Sequence, residues 1–143
     1  DVYKRQVENH KMIVENSGLL TVAALKHLDV KDKKVVSILS GGNMDVITMS
    51  SIVRHGLIQR GRVFSMSVLL PDKPGELLKV AKVIADAKGN VIKIDHNQFV
   101  SINRNAAVEL GITLEAFGME HKEEILNAMR KAGYNPKIIQ TTM

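Results

Sequence analysis

Residues 108–115 read VELGITLE, and this stretch decides the fold of the second half of the chain. Four large aliphatic residues alternate with polar or small residues at a strict period of two. They are Val108, Leu110, Ile112 and Leu114. This alternation predicts a half-buried antiparallel strand. Residues 62–72, RVFSMSVLLPD, alternate in the same way, so a second strand of the same sheet is predicted there.

Segments with helical spacing of apolar residues lie between these two strands and after the second one. Residues 73–89 predict a helix that starts at Pro74 or Gly75 and stops at Gly89, with a buried stripe of Leu77, Val80, Ala81 and Ile84. Residues 120–132 predict a second helix that buries Ile125, Met129 and Ala132. Residues 90–99 and 137–142 complete a β-α-β-β-α-β order, the ferredoxin-like α+β arrangement. We expect one face of its sheet to be open and polar, with Ser65, Ser67, Glu109, Thr113 and Glu115.

The first half of the chain has a different pattern. A helix is predicted after Ser17, then a strand over residues 34–39, KVVSIL, and a helix from Val46 to about His55 that Asp45 caps. The strand is apolar without alternation, as in parallel strands buried on both faces. Residues 1–61 contain no partner for it, so either another chain supplies the neighbours or the rest of a domain is missing. We favour the missing domain.

Composition excludes several classes of protein. The 143 residues include no cysteine, so a disulfide framework and a thiolate zinc site are excluded. The net charge of +5 is spread along the chain, and the polar sheet face carries acidic residues in place of aromatic ones, which argues against a nucleic-acid partner. The five histidines have no spacing that suits a metal, and His96 is interpreted as a partly buried structural residue. With no secretory signal or membrane span, we expect a cytoplasmic protein.

Two segments are candidate binding sites. Ser40, Gly41, Gly42 and Asn43 follow the predicted buried strand, where α/β sheets place their ligands, although a tight turn with positive φ would need the same glycines. The loop PDKPGEL, residues 71–77, leads into a helix. Its backbone N–H groups can bind a carboxylate and Asp72 can meet an ammonium group, although turn chemistry alone would also explain Pro74 and Gly75.

The stretches KMIVENSGLLTVAAL and KKVVSILSGGNMD, within residues 11–45, resemble the closing part of fold-type-II pyridoxal-phosphate enzymes, in particular threonine ammonia-lyases and serine racemases. The resemblance implies an α/β fragment of that catalytic domain. Ser40 would hydrogen-bond the pyridine nitrogen of pyridoxal 5'-phosphate, with Gly41, Gly42 and Asn43 in the same cofactor-binding turn, and Glu15 would occupy the position of the family's acidic residue. The family's cofactor-bearing lysine and phosphate loop lie upstream, so no catalytic residue is assigned and the chain alone is predicted to be inactive.

Residues 62–143 resemble an ACT amino-acid-binding regulatory domain, through PDKPGEL and through HNQF and GMEH at residues 96–99 and 118–121. The resemblance implies an effector, one of isoleucine, valine, threonine or serine, and a homo-oligomer formed through this domain. The implied ligand-binding residues are Asp72, Lys73, Pro74, Gly75 and Glu76, with Asn90 and Val91 contributed by a partner subunit.

The resemblance therefore predicts three segments: a non-native leader in residues 1–6, a catalytic-domain piece in residues 7–61, and the ACT domain in residues 62–143. Together they imply the C-terminal part of an enzyme that converts threonine to 2-oxobutanoate and ammonia. The alternative is a free-standing ACT sensor without catalysis, in which the apolar segment 34–39 would have no use.

Overall fold

The computed structural model describes residues 9–10, 12–97 and 107–141. The chain divides into two compact units, one from Asp1 to Gly56 and the other from Leu57 to Met143. This division lies a few residues before the predicted domain boundary at residues 61 and 62. Each unit is described separately below.

The first unit is built from short helical segments. A 3-10 turn, Ser17–Leu19, leads into α1, Leu20–Ala24, and a second 3-10 turn, Leu25–His27. The predicted helix after Ser17 is thus confirmed, although it is broken into three pieces. Helix α2, Val46–Gln59, starts where predicted and extends beyond His55 to the other side of the division between the units.

Asp45 caps α2 as predicted. Its Oδ2 atom accepts hydrogen bonds from the backbone N–H and the hydroxyl of Thr48, both at 2.9 Å, and its Oδ1 atom accepts one from the N–H of Ile47 at 3.2 Å. Two of the backbone donors that every helix start leaves unpaired are thereby satisfied.

The predicted strand over residues 34–39 is not formed in the structure. Val36 is 91% exposed and Ile38 is 74% exposed, so these side chains are not buried on either face. A strand needs a hydrogen-bonded neighbour, and within the described residues of this unit no other strand is present to supply one. The buried hydroxyl of Ser37 also lacks a hydrogen-bond partner among those residues.

The second unit is a four-stranded antiparallel sheet with two helices, and the predicted β-α-β-β-α-β order is confirmed. Strand β1, Val63–Pro71, is followed by α3, Glu76–Asp86, and then by β2, Asn90–Asn97, and β3, Ala107–Glu115. Helix α4, Met119–Lys131, leads to the short β4, Lys137–Ile139. The strand order is β2-β3-β1-β4. Residues 98 and 99, predicted to end the second strand, lie outside the described residues.

The core lies between the sheet and these two helices. Met66, Ile112 and Leu114 from the central strands pack with Ile84 of α3 and Met129 of α4, and all five are at most 1% exposed. Three predicted core residues are not buried, and of these Ala81 is half-buried. Leu77 is 44% exposed because it lies in the first turn of α3, and Ala132 is exposed because it follows the last residue of α4.

The opposite face of the sheet is polar but less open than predicted. Ser65, Ser67 and Thr113 are buried, and Ser65 Oγ lies 2.9 Å from Thr113 Oγ1. Ser67 donates a hydrogen bond to Oε1 of Glu109, which is half-buried, and Glu115 alone of the five predicted residues is exposed. Short side chains on central strands are enclosed by longer neighbours, and here their hydroxyls are paired, which keeps the cost of burial low.

In the part of the chain that the structure describes, no helix has the length and apolar character that a membrane crossing requires.

Candidate functional site

The loop between β1 and α3 has a defined backbone path. The N–H of Lys73 donates to the carbonyl of Pro71 at 2.9 Å, which turns the chain directly after the strand. Gly75 then precedes the helix with φ = 92°, a left-handed conformation that favours glycine. No side chain caps α3, and within the described residues the N–H groups of Leu77 and Leu78 donate no hydrogen bond. The helix start therefore offers free donors.

A cavity of about 310 Å³ lies beside this loop. Residues 71–77 form one wall, the buried side chains of Leu70, Val108 and Leu110 form an apolar floor, and His96 of β2 forms the facing edge. This volume is at the lower end of the range for small-molecule sites, which suits a ligand of about the size of one amino acid. The cavity thus combines an apolar floor with a rim of backbone donors and polar side chains.

The two carboxylates at the rim differ in their partners. Glu76 accepts a hydrogen bond from Nζ of Lys79 at 2.7 Å, and this bond, together with the charge of Glu76, raises the pKa of the Lys79 ammonium above its ordinary value. The carboxylate of Asp72 makes no ion pair or hydrogen bond to another described residue. Asp72 is therefore the carboxylate available to a ligand's ammonium group.

The structure brings together Asp72, Lys73, Pro74, Gly75 and Glu76, which all line the cavity. It does not bring Asn90 and Val91 to them within one chain. Asn90 pairs with Glu115 and Val91 with Leu114, at the start of β2, whereas the cavity lies near the end of that strand. A role for Asn90 and Val91 at this site would require a second copy of the chain, as the resemblance implied.

His96 is the residue of this site that sequence reasoning missed. It pairs with Leu110, on the helix-facing side of the sheet, and its side chain is exposed at the cavity edge. The interpretation of His96 as a partly buried structural residue was wrong, because that face of β2 lies at the edge of the sheet, where Ile92 and Ile94 are also exposed. The alternation of β2 indicated the face of His96 but not its distance from the loop.

The Ser40–Asn43 turn is held by the segment that precedes α1. The N–H of Glu15 donates to the carbonyl of Gly41 at 3.0 Å, and Gly41 has φ = 85°. This φ favours glycine, and a Cβ atom on Gly41 would lie 2.2 Å from Cδ of Glu15, so a larger residue would displace that side chain. The side chain of Glu15 therefore lies directly against this turn, and it accepts a hydrogen bond from Ser17.

The outer side of the same turn is open. All four residues, Ser40, Gly41, Gly42 and Asn43, are exposed, and a Cβ atom on Gly42 would have no neighbour within 4 Å. The turn can offer the Ser40 hydroxyl to a ligand. Among the described residues there is no group of three potential metal ligands in this turn or elsewhere.

The sequence is similar to those of L-threonine ammonia-lyases over most of its length. It is 38% identical over 130 residues to the L-threonine ammonia-lyase of Geobacter sulfurreducens, a match that covers 90% of this chain and 32% of the relative. It is 33% identical over 134 residues to the L-threonine ammonia-lyase of Thermotoga maritima, covering 93% of this chain and 33% of the relative. The chain thus spans about a third of the length of these relatives.

No family model matches the chain. Among solved structures, a match to a prephenate dehydratase from Streptococcus mutans covers 53% of this chain and 40% of the prephenate dehydratase chain, with a TM-score of 0.44 and 23% identity. A match to the regulatory subunit of aspartate kinase from Thermus thermophilus covers 55% of this chain and 49% of the subunit, with a TM-score of 0.41 and 18% identity.

The sequence relatives are therefore enzymes of amino-acid metabolism, and the second unit of the chain has the βαββαβ order. More particularly, the relatives that it resembles carry the names L-threonine ammonia-lyase and L-threonine dehydratase.

Proposed function

We propose that residues 62–143 form an ACT domain that binds a free amino acid in the cavity beside residues 71–77 and regulates a threonine ammonia-lyase. The parent enzyme would convert threonine to 2-oxobutanoate and ammonia. The observation that carries this proposal is the cavity itself, which has the size that an amino-acid zwitterion needs, with backbone donors and a carboxylate that have no partner among the described residues.

Each end of the zwitterion has a complementary group. The ligand's carboxylate would accept hydrogen bonds from the N–H groups of Leu77 and Leu78, where the helix dipole also favours negative charge. Its ammonium group would face Asp72. The ligand's side chain would then lie over the apolar floor of Leu70 and Leu110. Isoleucine, valine, threonine and serine are the candidate effectors.

Regulation would require a second conformational state and a second copy of the chain. Asn90 and Val91, distant from the cavity in one protomer, are the residues that a partner subunit would contribute. An effector that binds one arrangement of the oligomer better than another would shift its equilibrium by a coupling of about 1–3 kcal/mol. Homo-oligomerisation through this domain is therefore part of the proposal.

The first unit is proposed to complete the cofactor site of the catalytic domain. The open turn of Ser40, Gly41, Gly42 and Asn43 fits the edge of a pyridine ring, because Gly42 leaves space and Ser40 supplies a hydroxyl that can hydrogen-bond the ring nitrogen. Pyridoxal 5'-phosphate, when bound, supplies the electron sink for the elimination. A hydroxyl, unlike a carboxylate, does not hold that nitrogen protonated, so Ser40 would keep the sink weak and favour loss of the β-hydroxyl group.

The exposed apolar segment 34–39 supports the assignment of residues 7–61 to a larger domain. Val35, Val36 and Ile38 lie in solvent in this chain, where each loses the stabilisation that burial would give it. Strands of the remaining catalytic domain would cover these side chains and supply the missing hydrogen-bond partners. A free-standing sensor would have no such use for the segment.

The test is calorimetric titration of the 143-residue chain with isoleucine, valine, threonine and serine, with sedimentation to count subunits. We expect saturable binding of at least one of them to an oligomer. Replacement of Asp72 by Asn should weaken that binding by on the order of tenfold, since it removes one charge-assisted contact. Asp86→Asn, at the other end of α3 and in an exposed pair with Lys82, is the matched control and should bind normally. A folded chain that binds none of the four would contradict the proposal.

A second titration, with pyridoxal phosphate, tests whether this chain alone binds the cofactor and acts on threonine. Because the cofactor-bearing lysine and the phosphate loop belong to the upstream part, the 143-residue chain should neither develop the visible absorbance of tightly bound pyridoxal phosphate nor release ammonia from threonine. Either signal from the purified chain would show that the cofactor site has been assigned to the wrong segments.

A further inference from the structure

The cavity beside residues 71–77 has one chemically distinct wall. Its floor consists of Leu70, Val108 and Leu110, which can make only apolar contacts. Of the described strand residues that line the cavity, His96 alone has a polar side chain. Its imidazole can donate one hydrogen bond and accept another. The strand wall is therefore apolar at its centre and polar at one edge.

The position of His96 relative to the loop determines which part of a ligand it can reach. His96 is on β2, opposite Leu110 of β3, whereas Asp72 and the first turn of α3 belong to the opposite wall. If the loop binds the carboxylate and ammonium groups, the side chain of the amino acid extends away from the loop across Leu110. His96 then lies beside that side chain.

We propose that His96 determines effector specificity by hydrogen-bonding a hydroxyl group on the effector's side chain, so that the cavity prefers threonine to valine. This inference rests on the proposed amino-acid-binding function. Threonine and valine have nearly the same shape and differ by a hydroxyl in place of a methyl group. A site that hydrogen-bonds a ligand hydroxyl discriminates against the analogue that lacks it, because the site's polar group loses its partner.

The imidazole is available for this contact. Among the described residues His96 makes no hydrogen bond, ion pair or ring contact, in contrast to His121, whose two ring nitrogens are both engaged. Because His96 is exposed in the absence of ligand, water competes for its hydrogen bonds and the gain is modest. We expect a preference for threonine over valine on the order of tenfold in Kd.

The experiment is a comparison of threonine and valine binding to the full 143-residue chain by calorimetry, with three variants. His96→Leu keeps the bulk of the residue and removes its polar atoms, and it should abolish the preference or reverse it in favour of valine. His96→Gln keeps a donor and an acceptor and should retain part of the preference for threonine. His27→Leu, at an exposed histidine of the first unit, is the control and should leave the ratio of the two Kd values unchanged. Circular dichroism verifies that each variant is folded.

The outcomes separate this inference from the proposed function. If the wild-type chain binds valine as well as or better than threonine, or if His96→Leu leaves the ratio unchanged, then His96 does not set specificity although the cavity still binds amino acids. If the folded wild-type chain binds neither amino acid, both the specificity assignment and the proposed function are overturned. A preference for threonine that is lost in His96→Leu and kept in His96→Gln supports both.

Discussion

The Nε2 atom of His121 lies 2.7 Å from the carbonyl oxygen of Ala87, so one side chain in the first turn of α4 contacts the residue that follows α3. On the other side of the same ring, Nδ1 accepts a hydrogen bond from the backbone N–H of Phe117 at 3.1 Å. Since Nδ1 is an acceptor, the proton of the neutral ring must be on Nε2. His121 therefore connects the end of one helix to the start of the other.

This connection predicts a tautomer. Correlation NMR of nitrogen-15-labelled chain should show His121 as the Nε2–H form, whereas a proton on Nδ1 would contradict the hydrogen-bonding pattern. Replacement by Ala leaves the Ala87 carbonyl and the Phe117 N–H without their partner and should destabilise the chain by about 1–3 kcal/mol. His27→Ala removes an exposed histidine and should change the free energy of unfolding by less than about 0.5 kcal/mol.

The close packing around Gly18 predicts that adding a single methyl group there lowers the stability of the first unit. A Cβ atom at this position would lie 1.8 Å from the carbonyl oxygen of Ser40 and 2.7 Å from Cγ1 of Val14. Gly18→Ala should therefore displace the Ser40 turn and cost about 1–3 kcal/mol or more, measured as a shift of the urea midpoint followed by circular dichroism. Gly42→Ala is the matched control, since a Cβ atom there has no neighbour within 4 Å. Equal effects of the two substitutions would show that the Gly18–Ser40 contact is absent in solution.

Asp45 predicts that α2 is sensitive to acid. The N–H of Thr48, then the hydroxyl of Thr48 and the N–H of Ile47, lower the pKa of this carboxylate below 3.8. Because the folded pKa is below the unfolded one, the ionised cap stabilises the helix above pH 3.8, and this contribution is lost as the pH falls through the folded pKa.

The measurement is helix content by far-UV circular dichroism as a function of pH. Asp45→Asn should reduce helix content or stability at neutral pH and flatten the dependence on acid, because the amide oxygen still caps but carries no charge. Asp32→Asn is the control, at a residue outside α2 with φ = 60°, where Asn is well tolerated. An acid transition that is identical in Asp45→Asn and the wild type would exclude Asp45 as its origin.

The alternation of β1 predicts a large loss of stability at one position and a small loss at another. Met66 has no exposed surface, whereas Leu69, on the other face of the same strand, is 61% exposed. Met66→Ala should lower the free energy of unfolding by about 2–5 kcal/mol because it leaves a cavity in the core. Leu69→Ala should cost about 0.5 kcal/mol or less, and denaturant titration distinguishes the two. A large loss at Leu69 would indicate that a second surface covers this face.

Much of the second unit could be predicted because its signals are local. Alternation in residues 62–72 and 108–115 indicated which residues face the helices, and Asp45 and Gly89 marked helix ends through cap and turn chemistry that involves only their neighbours. The loop of residues 71–77 was predicted to lead into a helix for the same reason. Its Pro and Gly have a local role at a helix start.

The errors arose where the outcome depends on residues distant in sequence. The period of two assigned Ser65 and Thr113 to one face, but only the pairing of β1 with β3 showed that they are buried and bonded to each other. In the same way, residues 34–39 have the composition of a strand, yet strand formation needs hydrogen-bond partners that no local pattern supplies.

The sequence by itself determined the order of the elements in the second unit, the cap of α2 and the loop that leads into α3, because each depends on spacing along a few consecutive residues. Only the tertiary structure decided that His96, and not Asn90 or Val91, shares a cavity with that loop within one chain. Alternation indicates the face on which a side chain lies. The end of the strand that meets the loop is set by the register between β2 and β3, which is a long-range pairing.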